Sequence, residues 1–115
     1  MVGRLRSVVI DGPDINVLAD FYGELLGLKV AHRDDDWITL GTTEPRVCLQ
    51  LAPDHVPPSW PDPSRPQQLH LDVAVDDIDA AEAQVLALGA TKLPGGGSDF
   101  RVYADPAGHP FCLVF

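Results

Sequence analysis

The alternation of hydrophobic and polar residues follows the same order in two stretches of the chain. The first stretch reads SVVIDGPDINVLADFYGELLG from Ser7, and the second reads HLDVAVDDIDAAEAQVLALG from His70. Each begins as an alternating strand, has an aspartate seven residues after its first residue, continues with apolar residues at helical spacing and ends at a glycine. Repetition of this kind indicates one structural unit used twice. We therefore predict two tandem modules, headed by Ser7 and His70.

Both predicted helices have signals at each end. Asp14 and Asp77 occupy the position of an N-cap, where a carboxylate accepts hydrogen bonds from the first free backbone amides. Gly27 and Gly89 occupy the position of a left-handed C-terminal cap. The apolar residues between these signals form one stripe in each helix: Ile15, Leu18, Phe21, Tyr22 and Leu25, then Ile78, Ala81, Val85 and Leu88. Each helix is predicted to bury this stripe against a sheet.

Three more strand patterns follow each helix. They are KVAHRD, WITLG and RVCLQLA in the first half, and ATKLP, FRVYAD and PFCLVF in the second. Each half therefore has the order β-α-β-β-β. Sheets covered by a helix on one side imply an α+β fold, here two tandem modules that form a concave mixed-sheet cup with the helices on the outside.

A proline-rich segment separates the halves. It reads PDHVPPSWPDPSRPQQ and holds six of the eleven prolines, which cannot donate to a sheet ladder. We expect a single domain over residues 1–115, with module one at 1–52, a semi-rigid connector at 53–66 and module two at 67–115. Trp60 in the connector either folds over the mouth of the cup or fastens the connector to the body of the domain.

Strand parity predicts which side chains face the cup. Side chains alternate between the two faces of a strand, so the apolar positions pack under the helix and their neighbours face the other way. This alternation places on the cup face Ser7, Trp37, Thr39, Cys48, Gln50, His70, Asp72 and Cys112, and it hides Phe111, Leu113 and Phe115. The strand FRVYAD alternates ambiguously and leaves both directions open for Arg101 and Tyr103. Tyr103 and Trp60 complete the set of candidate pocket residues.

Composition narrows the class of partner. The chain has 115 residues, 45% of them hydrophobic, and carries eight Lys and Arg against seventeen Asp and Glu, a formal net charge of -9. These values are typical of one globular domain. A surface of this charge repels nucleic acid and anionic membranes at long range and attracts a cationic ligand.

Two further features bear on the compartment. Cys48 and Cys112 are the only cysteines and do not make a disulfide framework. The apolar run in MVGRLRSVVIDG is too short for a signal peptide or a membrane span. We therefore expect a cytoplasmic protein.

The paired modules contain three further motifs, DFYGELLGL, VDDIDAAEAQVLALGA and the closing YADPAGHPFCLVF. Together these features resemble the vicinal oxygen chelate superfamily, which includes glyoxalases, extradiol dioxygenases, fosfomycin-resistance enzymes and bleomycin-resistance proteins. The resemblance spans nearly the whole chain. It implies the paired-module fold, a small-molecule ligand or substrate, and a homodimer.

The resemblance also implies where a metal ion would lie. In members that use one, the ion is held in the cup by His or Gln at the head of the first strand of a module and by Glu on its last strand. The matching positions here are the heads Ser7 and His70, Cys112 on the last strand of module two, and Gln50 or else Cys48 in module one. Only His70 is of the usual kind. A divalent metal held by His70, Cys112 and Gln50 is one expectation, and loss of the usual metal set is the other.

Ligand chemistry bears on this choice. Mg²⁺, Mn²⁺ and Fe²⁺ sites favour hard oxygen donors and imidazole, and no carboxylate stands at either last-strand position. A softer site of His70, Cys112 and Cys48 would suit zinc, whereas free cysteines commonly act as small buried apolar residues.

We therefore expect first a protein that binds a small molecule in the cup without the usual catalytic metal, in the manner of bleomycin-resistance proteins. The alternative is a lyase, isomerase or dioxygenase in which His70 is the catalytic residue, with or without a divalent metal. An imidazole pKa of about 6.5 suits proton transfer near neutral pH, and Gln50, Cys112 or Asp72 would assist. A third role, as a dimer scaffold with a filled cup, stays open.

Overall fold

The computed structural model describes all 115 residues, which divide into two compact units, Met1–His55 and Val56–Phe115. Each unit consists of one four-stranded sheet and one helix in the order strand, helix, three strands. The predicted α+β class and the tandem repeat are therefore confirmed. The border between the units falls inside the predicted connector, most of which belongs to the second unit.

The first unit comprises β1 (Ser7–Gly12), α1 (Ile15–Leu26), β2 (Val30–Arg33), β3 (Trp37–Leu40) and β4 (Arg46–Leu51). Its strands lie in the order β1-β4-β3-β2. β1 runs parallel to β4, and the other neighbours are antiparallel. The helix α1 carries the chain from β1 across the sheet to β2 at the opposite edge, and β3 and β4 then return antiparallel until β4 lies parallel to β1.

The second unit repeats this topology with β5 (Leu71–Ala74), α2 (Ile78–Ala87), β6 (Thr91–Lys92), β7 (Phe100–Ala104) and β8 (Pro110–Val114). The strand order is β5-β8-β7-β6, again with one parallel pair, β5 and β8. No helix of the chain is long and apolar enough to cross a membrane.

The helix ends follow the predicted signals. The Asp14 carboxylate accepts hydrogen bonds from the amides of Asn16 and Val17 at 3.1 and 3.2 Å. The Asp77 carboxylate accepts one from the amide of Ala80 at 3.1 Å. Caps of this kind each contribute about 1 kcal/mol. Gly27 ends α1 with φ of 66°, and Gly89 follows α2 with φ of 110°, so both glycines hold backbone that other residues rarely adopt.

The two helices differ in how much they bury. In α1 the residues Ile15, Leu18, Phe21 and Tyr22 are at most 3% exposed, whereas α2 buries only Ala81 and Val85. The prediction that Leu88 belongs to the buried stripe of α2 is wrong. Leu88 lies past the last helical residue and is 36% exposed.

Ion pairs also hold α2 on its sheet, where it makes a smaller apolar contact than α1 does. The Arg101 guanidinium on β7 bonds to Asp79 at 3.0 Å and to Glu82, and Lys92 on β6 reaches Glu82 at 2.8 Å. These pairs fix the side of β7 that faces α2. Arg101 lies on that side together with Tyr103, and Phe100 and Val102 therefore face the opposite way.

The last strand is buried as predicted except at its end. Phe111 and Leu113 are at most 1% exposed, but Phe115 is 44% exposed. Phe115 lies beyond the last residue of β8 and has no strand partner to cover it. The Arg101 guanidinium carbon lies 6.0 Å from the centroid of its ring.

Candidate functional site

The face of the second sheet opposite α2 contains a pocket of about 460 Å³, which we call the His70 pocket. Strand register builds it, because Cys112 in the middle of β8 pairs with Asp72 on β5 and with Val102 on β7. His70 lies just before β5 and two residues before Asp72, so its side chain projects from the same face. The apolar wall is made by Trp60, Phe100, Val102, Pro110 and Val114.

The polar end of the pocket is a cluster of three side chains. The His70 Nε2 atom lies 3.2 Å from the Asp72 Oδ1 atom. The donor atoms of His70, Asp72 and Cys112 all lie within 4.8 Å of one another. The His70 and Asp72 side chains are 39% and 62% exposed, whereas Cys112 is 8% exposed. The cluster thus has a buried thiol beneath two groups that a ligand can reach.

Burial raises the pKa of the Cys112 thiol, and the negative charge of Asp72 raises it further. A thiol next to a carboxylate loses its proton less readily, because the resulting thiolate would be repelled. Cys112 is therefore protonated at neutral pH and is not an activated nucleophile.

The charge around the pocket is acidic. Besides Asp72, the carboxylate of Asp99 lines it, and no Lys or Arg does. Gln67 adds a neutral amide. A concave apolar surface with a few polar groups at one end is a common form of small-molecule site. The two carboxylates favour a ligand that carries positive charge.

The aromatic wall is positioned by loops. The Trp60 indole N–H donates to the Pro94 carbonyl oxygen at 2.7 Å. The Phe100 ring lies over Gly97, where an added Cβ atom would be only 2.8 Å from the Phe100 Cε1 atom. The GGGS turn therefore has a packing role at the pocket, which its sequence did not reveal.

Five of the predicted site residues belong to the first unit. Trp37, Thr39, Cys48 and Gln50 share the face of its sheet opposite α1: the Trp37 indole donates to the Thr39 hydroxyl at 3.0 Å, and the Cys48 thiol to the same oxygen at 3.6 Å. Ser7 is on this face too, by its register two residues before Val9, the partner of Cys48. Their part in ligand or metal binding stays a prediction.

Tyr103 does not line the His70 pocket. Its register opposite Phe111 places it on the α2 side, where it is 0% exposed and the two rings stack at 5.7 Å. Burial, with Glu82 nearby, raises the pKa of its hydroxyl. The pocket instead contains Phe100 and Val102, which sequence reasoning missed. One signal in the sequence could have resolved which way the side chains of β7 point. Arg101 is positively charged and can pair with two acidic residues of the predicted α2, which places Arg101 and Tyr103 on the α2 side.

The sequence pattern of the family described as glyoxalase-like domain matches residues 7–114. The chain belongs to this family. The predicted membership of the vicinal oxygen chelate superfamily is thereby confirmed. No curated protein matches the chain significantly.

Solved structures share the fold at low sequence identity. A glyoxalase/bleomycin resistance protein/dioxygenase family enzyme from Burkholderia phytofirmans PsJN has a TM-score of 0.76 at 18% identity, covering 96% of this chain and 97% of its own. Glyoxalase I of Leishmania major has a TM-score of 0.70 at 20% identity, covering 97% of this chain and 86% of its own. TnmS3, an antibiotic-binding protein from Streptomyces sp. CB03234, has a TM-score of 0.59 at 21% identity, covering 98% of this chain and 95% of its own. At these identities the likeness shows the fold alone.

The donor set of the pocket decides which metal it suits. Imidazole, carboxylate and thiol together are a zinc-type set and not the all-oxygen environment of Mg²⁺ or Ca²⁺. Bonds of about 2.0–2.3 Å to a tetrahedral ion place donors roughly 3.3–3.8 Å apart, so a cluster within 4.8 Å needs only a small contraction. His70, Asp72 and Cys112 thus fit a borderline-soft ion once the thiol proton is released.

Proposed function

We propose that this chain is a small-molecule-binding member of the glyoxalase-like family that takes up a cationic compound with a flat apolar body. The observation that carries the proposal is the His70 pocket, whose aromatic and aliphatic wall ends at Asp72 and Asp99 and which no Lys or Arg lines. The net charge of -9 acts in the same direction by raising the local concentration of cations.

The pocket geometry supports an apolar body next to the charge. Burial of about 150 Å² of ring surface is worth roughly 4 kcal/mol before the costs of association. Trp60 and Phe100 offer ring faces, and such faces also attract a cationic group.

Thermal unfolding with three benzyl compounds of different charge tests this function. Benzyltrimethylammonium should stabilise the chain, by about 2.7 kcal/mol at one hundred times its Kd, whereas phenylacetate and benzyl alcohol should have little effect. Larger aromatic cations extend the panel. If no cation in the panel raises the melting temperature above the neutral and anionic compounds, the proposal fails.

A variant pair connects the binding to the pocket. Asp72→Asn should weaken binding of the cation roughly tenfold, because a charged partner is worth about 1.5 kcal/mol or more. Asp76→Asn removes the same charge from an exposed position outside the pocket and should leave affinity nearly unchanged. Isothermal titration calorimetry measures both, and equal losses would refute a specific role of Asp72.

A second function is favoured by the cluster of His70, Asp72 and Cys112, namely a metal-assisted lyase or isomerase of this family. A zinc-type ion held there would polarise a substrate oxygen as a Lewis acid. The Oδ1 atom of Asp72, 3.2 Å from the His70 Nε2 atom, fixes the orientation of that ring. In the absence of a metal, His70 itself would move a proton at a substrate atom in the pocket.

Metal content separates the two functions. Protein purified without an affinity tag should hold close to one equivalent of zinc if the second function is right, and His70→Ala and Cys112→Ser should each lose most of it. Gln50→Ala tests the predicted ligand in the first unit in the same assay. Less than about a tenth of an equivalent, with no gain on reconstitution, would leave the metal-free binding function.

We also propose that the chain acts on small molecules as a homodimer and does not bind nucleic acid. The net negative charge supports the absence of nucleic-acid binding. Exposed edge strands in each sheet support the homodimer, since pairing of subunits covers such edges. Light scattering after size-exclusion chromatography should give twice the 12.4 kDa chain mass.

A further inference from the structure

A second cavity lies on the same face of the second sheet as the His70 pocket. It has a volume of about 470 Å³ and is lined by Pro57, Pro58, Thr91, Leu93, Ala104 and Pro106, among others. We call it the proline cavity. Ala104 follows Val102 by two residues on β7 and pairs with Thr91, so the floor of this cavity continues the floor of the His70 pocket.

Trp60 lines both cavities. Its indole N–H is held by the Pro94 carbonyl oxygen at 2.7 Å, and its Cζ2 atom would lie 3.9 Å from a Cβ at Gly95. The indole therefore stands on the sheet between the two spaces and closes against the loop that follows β6.

The backbone before Trp60 is fixed as well. Pro57 approaches Gly108 so closely that a Cβ there would lie 2.5 Å from the Pro57 Cβ atom. Further along, the Ser59 amide donates to the Arg65 carbonyl oxygen at 2.7 Å and folds the connector back on itself. Contacts on both sides of Trp60 thus hold the indole in its dividing position.

The two cavities offer different chemistry. In the His70 pocket, Asp72 is 62% exposed and open to a cation. In the proline cavity the only charged residue is Asp105, whose side chain is 0% exposed. Its oxygens already accept from the amides of Ala107 and His109 and contact His109 Nδ1 at 2.7 Å. The proline cavity therefore suits an uncharged group.

We propose that Trp60 is a specificity-determining residue that divides this face into two compartments and restricts the bound cation to a length that fits the His70 pocket. The inference rests on the proposed function, because it takes the His70 pocket as the site of the cation. Removal of the indole joins the compartments and converts the site into one for an elongated molecule, cationic at one end and uncharged at the other.

Two probes of different length test the division. Benzyltrimethylammonium fits one compartment, and (biphenyl-4-ylmethyl)trimethylammonium carries one more ring on the same cation. The wild-type chain should bind the longer probe at least about tenfold more weakly than the shorter one, because the indole blocks the added ring, and Trp60→Ala should remove this penalty, a gain of about tenfold that corresponds to one more partly buried ring. Titration calorimetry provides both affinities for each variant.

Blocking the second compartment is the matched control. Ala107 lines the proline cavity and not the His70 pocket, so Ala107→Trp should abolish the gain of Trp60→Ala for the longer probe. In an otherwise wild-type chain Ala107→Trp should leave affinity for the shorter probe within about twofold. A larger loss would show that the cavities are one in solution and would overturn the division by Trp60.

The possible results are distinguishable. An unchanged length preference in Trp60→Ala, with the shorter probe still bound, overturns the inference and leaves the proposed function intact. Absence of binding by either probe to the wild-type chain overturns both. If Trp60→Ala does not fold, Trp60→Leu, which keeps an apolar side chain, replaces it. The test of Ala107→Trp in the wild-type background does not depend on either variant of Trp60.

Discussion

At the scale of single residues, Cys112 shows how one neighbouring charge changes what a side chain does. The sequence motifs predicted a metal-ligand position for it on β8, and the structure has there a thiol buried next to Asp72. Both burial and that charge raise its pKa. Cys112 thus behaves as a small apolar residue of the pocket floor.

Alkylation measured against pH tests this account of Cys112. Asp72→Asn removes a charge that disfavours the thiolate, so the pH midpoint of the reaction with iodoacetamide should fall. Peptide mass spectrometry gives the rate for each cysteine separately. Cys48 in the first unit is the internal control and should not respond, and a midpoint that does not move for Cys112 would contradict the assigned cause.

At the scale of elements, the turn between β6 and β7 shapes the pocket as much as the strands do. Gly95 and Gly96 adopt φ of 102° and 120°, values that favour glycine, and Gly97 leaves room for the ring of Phe100. A run of glycines has no side chains of its own to pack. Its order comes from Trp60 and Phe100, which contact it from outside.

Substitution of one of these glycines separates packing from flexibility. Gly97→Ala should destabilise the chain by about 1–3 kcal/mol, because the methyl group forces the Phe100 ring from its place. Gly3→Ala meets no atom within 4 Å and should be nearly neutral. Urea unfolding measures both. In a Phe100→Ala background the cost of Gly97→Ala should shrink, and equal costs in the two backgrounds would argue against this contact.

At the scale of the whole molecule, the excess of acidic residues has a consequence for stability. A net charge of -9 on 115 residues produces repulsion among like charges that the compact state feels more strongly than the unfolded chain. Only a few acidic groups are paired, such as Asp79 and Glu82 with Arg101.

Salt should therefore stabilise this protein near neutral pH. Sodium chloride at about 0.5 M shortens the Debye length to roughly 4 Å and should raise the melting temperature by a few degrees. Near the isoelectric point of about 4.5 the same addition should have little effect, because the net charge is close to zero. A melting temperature that falls with salt at neutral pH would show that the ion pairs outweigh the repulsion.

The sequence by itself determined the two modules, the helix caps and most strand faces. Periodicity of 2.0 and 3.6 residues and the preferences of Asp and Gly at helix ends are local properties, so they can be deduced without contacts. His70, Asp72 and Cys112 were placed on one face by this parity alone.

Only the tertiary structure decided the direction of β7, the role of the glycine turn and the position of Trp60. In FRVYAD both faces carry apolar residues, and it is the bonds of Arg101 to Asp79 and Glu82 on α2 that turn Phe100 toward the pocket and Tyr103 into the core. Likewise, a connector shows no periodicity, so the hydrogen bond of Trp60 to Pro94 follows from long-range packing that the sequence pattern does not encode.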